Sequence, residues 1–95
     1  MYAMLVEVNA DESDTEAARD VLPKSVVPIV RDAGAKAGYW LAPQNGRGIA
    51  VVVFDTEDAA RATAAGAEVG KPAMPDAPTD MTVKTVEVRE VIASV

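Results

Sequence analysis

Tyr2 to Asn9 (YAMLVEVN) alternates loosely between apolar and polar positions and ends in the polar cluster Asn9 to Asp14. That pattern predicts a first strand running into a loop. Ser13 and Glu16 have the spacing of a capping box, and Asp11, Glu12, Asp14 and Glu16 place negative charge where a helix start favours it. A helix is expected from about Asp14 toward Ala33, with Ala17, Ala18, Val21, Leu22, Val26, Ile29 and Val30 forming one apolar stripe. Pro23 and Pro28 each lack a donor and crowd the preceding turn, so a kink or a break into two pieces is expected. Gly34 is the natural C-cap.

Gly38 to Pro43 then reads as a second strand, Asn45-Gly46 as a tight hairpin turn with Gly48 admitting a bulge, and Ile49 to Phe54 as a third strand. The third strand is apolar at both parities, which calls for cover on both faces. Asp55 to Asp58 repeats the acidic helix-start signature, and an alanine-rich helix is expected from about Glu57 to Val69. Pro72, Pro75 and Pro78 make Gly70 to Asp80 an extended loop. Most of Met81 to Val95 reads as a long fourth strand. Its apolar parity slips between Val83 and Val86, so it carries a bulge or has a second half that pairs with another subunit.

The order β-α-β-β-α-β over residues 1–95 defines an α+β, ferredoxin-like sandwich: one domain, with both helices on one face of a four-stranded antiparallel sheet. The other face stays apolar, and its simplest cover is a second copy of the chain. A homodimer is therefore expected, joined through the sheet face and the Met81 to Val95 strand.

Composition removes chemistries more than it adds them. The 95 residues include neither Cys nor His, which excludes thiolate and imidazole catalysis or ligation within one chain. Nine basic residues against 15 acidic ones give a net charge of −6, and no two basic residues are adjacent, so nucleic acid is not an expected partner. No apolar run approaches a membrane span, and the strand-like N-terminus lacks a basic leader, so a cytoplasmic protein without membrane partners is expected. Asp11, Glu12 and Asp14 fail as a calcium loop because Glu16 stands where Gly is required; no metal and no cofactor are expected.

The run Gly38-Tyr39-Trp40-Leu41, Gly46-Arg47-Gly48 and Val51-Val52-Val53-Phe54-Asp55-Thr56-Glu57-Asp58-Ala59-Ala60, together with the long last strand, resembles the dimeric α/β-barrel superfamily. Within it the likeness is to the antibiotic-biosynthesis-monooxygenase-like proteins. The resemblance implies a dimeric barrel with a ligand pocket in each protomer, between sheet and helices. It also implies two activities, cofactor-independent oxygenation of polycyclic phenols and oxidative opening of haem. Haem opening uses an Asn on the first strand, a Trp at the end of the third and a His on the second helix. Asn9 is the counterpart of the first, Phe54 occupies the Trp position, and no His exists, which argues against haem opening. Phe54 also departs from the Trp of the phenol-oxygenating branch.

Three functions remain in view. The first is a homodimer of unassigned activity that binds a small apolar or aromatic ligand between sheet and helices. Its site would be lined by Val52, Phe54, Ala60, Ala64 and Trp40, with the proline loop as a lid. The second is a cofactor-independent monooxygenase acting on an aromatic, polyketide-like substrate, with Asn9, Tyr39 and Trp40 as catalytic candidates. The third is a structural or regulatory dimer with a closed core. Each candidate residue has a plainer reading too: Trp40 and Tyr39 as core or interface anchors, Asn9 as a turn residue, and the alanines as a device for close packing. Glu7 shares the parity of Leu5; buried, it would need a partner such as Arg89 or Lys84 or act as a base.

Overall fold

The computed structural model describes residues 1–73 and 81–95. Its elements are β1 (Tyr2–Asn9), a 3-10 turn (Glu12–Asp14), α1 (Thr15–Ser25), α2 (Val27–Asp32), β2 (Ala35–Gln44), β3 (Arg47–Phe54), α3 (Glu57–Ala64) and β4 (Thr82–Glu90). The strands form one open antiparallel sheet in the order β2-β3-β1-β4. This is an α+β arrangement compatible with a ferredoxin-like fold.

Local chemistry explains most of the element ends. The capping box closes the 3-10 turn that leads into α1, two residues before the sequence spacing suggested, and α1 itself has no side-chain cap at Asp14. The Asp11 carboxylate accepts from the Ser13 N–H at 2.9 Å, and the Asp14 carboxylate accepts from the Asp11 N–H at 2.9 Å. Asp14 thus takes the reciprocal role that Glu16 was expected to play, because the 3-10 turn is wound more tightly than an α-helix. The long first helix is broken at Val26. Pro28 has no N–H for the Lys24 carbonyl, and it falls in the first turn of α2, where a missing donor is tolerated. Gly34 follows α2 at φ 101°, a left-handed conformation that spares a Cβ the clash.

β2 begins directly after Gly34, three residues before its expected start, and runs through Gln44. Asn45 and Gly46, at φ 56° and 78°, make the two-residue turn into β3. The extra residue of this hairpin lies in β2, where Ala42 and Pro43 face Gly48 alone between the Leu41–Ile49 and Gln44–Arg47 pairs. Pro43 is acceptable there because β2 is an edge strand.

Two expectations on length are corrected. α3 stops at Ala64 and not near Val69: Thr56 caps its start by accepting from the Ala59 N–H at 3.2 Å, and Gly66 weakens its continuation. β4 ends at Glu90, so it has nine residues; Val91 to Val95 are not strand. The parity slip in β4 is a bulge at Lys84. Val8 pairs with Val83 and Glu7 with Thr85, which returns Val83, Val86 and Val88 to one face. Of the proline loop, Gly70 to Ala73 runs beside the start of β4, with Val83 N–H donating to the Lys71 carbonyl at 2.9 Å. Pro75 and Pro78 lie outside the described residues, and the lid expectation with them.

The core lies on the helical face of the sheet. Met4, Val6, Val52, Phe54, Val83, Val30 and Ala60 are buried together, and Phe54, Val52 and Ala60 are completely inaccessible. A smaller cluster of Ala10, Ala18 and Met81 fixes α1 across the end of β1 and the start of β4. The opposite face is set by register: Val51 pairs with Leu5 on one side and Tyr39 on the other, and Ile49 pairs with Leu41. Tyr39 and Leu41 are 64% and 55% exposed there.

Candidate functional site

A sheet face covered by two separate helical groups is covered evenly only if the groups meet. Here α2 leans on β2, whereas α3 lies over β1 and β4 with some contact to β3. Between them, above β1 and β3, is a cavity of about 230 Å³. Its floor is Met4, Val6, Ala50 and Val52; Leu22, Val26 and Val30 wall one side and Thr63, Gly66 and Ala67 the other. Ala73 and Met81 lie toward one end, and Trp40 stands on the β2 side.

The alanine-rich helix explains the location. Small side chains allow close approach, and at Ala60 the helix does sit flush on the sheet, with Ala60 and Phe54 wholly buried. Toward and past the end of α3, Thr63, Gly66 and Ala67 present little bulk and leave a gap opposite Leu22 and Val26. Close packing and an unfilled volume thus occur at opposite ends of one short segment.

Chemically the cavity is almost bare. Among the described residues around it none is charged, and the polar side-chain atoms are the Thr63 hydroxyl and the Trp40 indole N–H. The Thr63 hydroxyl donates to the Ala59 carbonyl at 2.9 Å, which ties its proton to the helix. Such a lining favours an apolar guest, since a polar one would leave its own groups unpaired.

The ligand-site residues expected from sequence fall into two groups. Val52 and Trp40 border the cavity. Phe54 and Ala60 are packed core beside it, and Ala64 is half-buried against the same core. The region next to Phe54 is therefore filled, and the open volume is displaced toward Leu22 and Trp40. Met4, Val6, Leu22, Val26, Thr63 and Ala67 were not expected around a site. Their apolar spacing was visible as a buried stripe, but nothing in a stripe marks the part that faces a gap.

The catalytic candidates are not brought together. Asn9 ends β1 with the parity of Leu5 and Glu7, on the exposed face and not around the cavity, and donates through Nδ2 to the Thr82 hydroxyl at 3.2 Å. Tyr39 is on the exposed sheet face, while Trp40 is on the helical one, as alternation in a strand requires. Glu7 lies on the exposed face also, so its environment differs from the buried one considered from sequence. Its carboxylate meets Arg47 at 3.0 Å and Lys84 at 3.5 Å, while Arg89 pairs with Glu87 at 2.8 Å. No group of His, Cys, Asp and Glu suited to a metal occurs among the described residues, and no helix there is long and apolar enough to cross a membrane.

Comparison with known proteins gives no matching family model, no matching curated protein and no matching solved structure.

Proposed function

We propose that this chain is a homodimeric α/β-barrel protein that holds a small apolar or aromatic molecule between its sheet and its helices. The observation that carries the binding reading is the cavity of about 230 Å³ with its apolar lining. An engineered cavity of about 150 Å³ accepts benzene, and drug-sized ligands occupy roughly 300 Å³ or more. The guest is thus larger than benzene and smaller than a typical drug, on the order of ten to twelve heavy atoms. Burial of its carbons supplies about 0.8 kcal/mol per methylene equivalent. The dimer reading is supported by the apolar part of the exposed sheet face, Leu5, Val51, Tyr39 and Leu41, which adjoins charged positions at Glu7, Arg47, Glu87 and Arg89.

Binding without turnover is favoured over oxygenation. An oxygenase of this kind needs at least two polar side chains that converge on the substrate, and neither Asn9 nor Tyr39 is among the residues around the cavity, both being exposed on the opposite face. The test uses naphthalene-2-carboxamide as probe and the emission of Trp40, the single tryptophan, as reporter. Saturable quenching or enhancement is expected. Ala67→Leu, which fills the cavity, is expected to abolish it while leaving the melting temperature equal or higher. An unaltered titration in Ala67→Leu would show that the probe sits elsewhere.

A further inference from the structure

Trp40 and Val30 border a second cavity, of about 240 Å³, on the far side of α2. Its remaining walls are Val27, Arg31, Ala35, Lys36, Ala37 and Gly38. The two volumes differ in kind. The first has no charged side chain among its described lining residues; the second has two cations and no carboxylate among its own. Gly38 shapes the border. A Cβ there would stand 3.1 Å from two carbons of the Trp40 ring, so its absence lets the indole lie over the β2 backbone between the cavities.

The cations are not equivalent. Lys36 is paired with Asp55 at 3.1 Å, which neutralises much of its charge. Arg31 takes part in no ion pair among the described residues, although Asp32 adjoins it in sequence. Arg31 is exposed, so in a chain of net charge −6 it offers a guanidinium with no acidic partner among the described residues at the second cavity. Its planar donors suit a carboxylate, which they bind through two parallel hydrogen bonds. Repulsion from distant acidic groups is screened over about 8 Å at physiological ionic strength, whereas Asp32 and Asp55 stand near and offset part of the attraction.

From this juxtaposition we infer that the ligand is an amphipathic carboxylate, with its apolar body in the first cavity and its carboxylate on Arg31 in the second. The inference rests on the binding function proposed above and adds the chemical class of the ligand. Trp40 then serves as the partition against which the body of the ligand packs and past which the acid group reaches.

The test compares naphthalene-2-carboxylate with naphthalene-2-carboxamide, which match in shape and differ in charge, again through Trp40 emission. The carboxylate is expected to bind about tenfold more tightly to the native protein, as a hydrogen bond to a charged group contributes that much over a neutral one. Arg31→Gln is expected to bring the acid down to the affinity of the amide, Arg31→Lys to retain part of the preference, and added salt to weaken the acid more than the amide. Equal binding of both compounds, or a preference that survives Arg31→Gln, would overturn the inference and leave cavity binding intact. Failure of both compounds to bind would remove cavity binding itself, and the inference with it.

Discussion

Asp11 holds the entrance to α1 through its own carboxylate. The Ser13 backbone N–H, joined by the Ser13 hydroxyl, keeps that carboxyl below the usual 3.8, because both hydrogen bonds favour the charged form. A group whose folded pKa is lowered contributes stability above its unfolded pKa and loses it as pH falls through the folded value. Asp11→Ala is therefore expected to melt below the native protein at pH 7, with the difference closing as the pH is taken below 3.8. Thermal melts of both proteins over that interval measure it; a gap that persists at pH 2 would contradict the capping role. Gly48 is constrained in another way. A Cβ there would lie 2.8 Å from Val8 Cγ2, a stiff branched side chain that cannot turn aside. Gly48→Ala is expected to destabilise by about 1–3 kcal/mol, read from the urea midpoint. The exposed ion pairs, such as Lys24–Asp20 and Arg61–Glu57, contribute about 0.5 kcal/mol or less each.

The β2–β3 hairpin is the element whose geometry depends most on single residues. Both turn positions have positive φ, and Gly46 at 78° is where a side chain is opposed by the backbone. Gly46→Ala is expected to lower stability by about 1–2 kcal/mol, with Asn45→Gly nearly neutral; equal effects of the two in chemical denaturation would count against this turn. The turn matters beyond itself, because it sets the register that places Trp40 opposite Ala50 on the helical face and Tyr39 opposite Val51 on the other. A slip of one residue would exchange them. Most elements were legible along the chain for physical reasons of this local kind. Asn-Gly marks the hairpin, Pro23 and Pro28 mark a broken helix, and the parity change from Val83 to Val86 marks the bulge. The ends of α3 and β4 were not legible. Alanine continues a helix readily and Val-Ile continues a strand, so local propensity runs past the point where packing stops supporting either element.

For the molecule as a whole, the exposed sheet face has an apolar part on β1, β2 and β3 beside charged positions on β4. Val51 stands in the middle of the apolar part, flanked by Leu5 and Tyr39. If a second copy covers it, the native protein is expected near twice its 9.9 kDa chain mass by light scattering at micromolar concentration. Val51→Lys is expected to reduce that to one chain mass with the circular dichroism spectrum unchanged, since the position does not face the core. A native monomer would overturn the dimer reading. The cavity belongs to this level as well, because its walls come from β1, β2, β3, α1, α2, α3 and the segments at Ala73 and Met81.

What residues dictate to their neighbours, and what distant segments dictate to one another, divide the protein accordingly. Caps, turns, proline breaks and strand alternation act over a few residues, so the order of elements and the antiparallel sheet could be read along the chain. The same reading located a small-residue helix and the single Trp as places of interest. Whether Ala60 and Phe54 close the interior while Ala67 and Leu22 leave it open depends on how far α2 and α3 stand apart over the sheet. That spacing comes from contacts between segments many residues apart in the chain. The meeting of Trp40, Val30 and Arg31 has the same origin, and only the folded arrangement brings an apolar cavity and a cation without an ion pair among the described residues to one border.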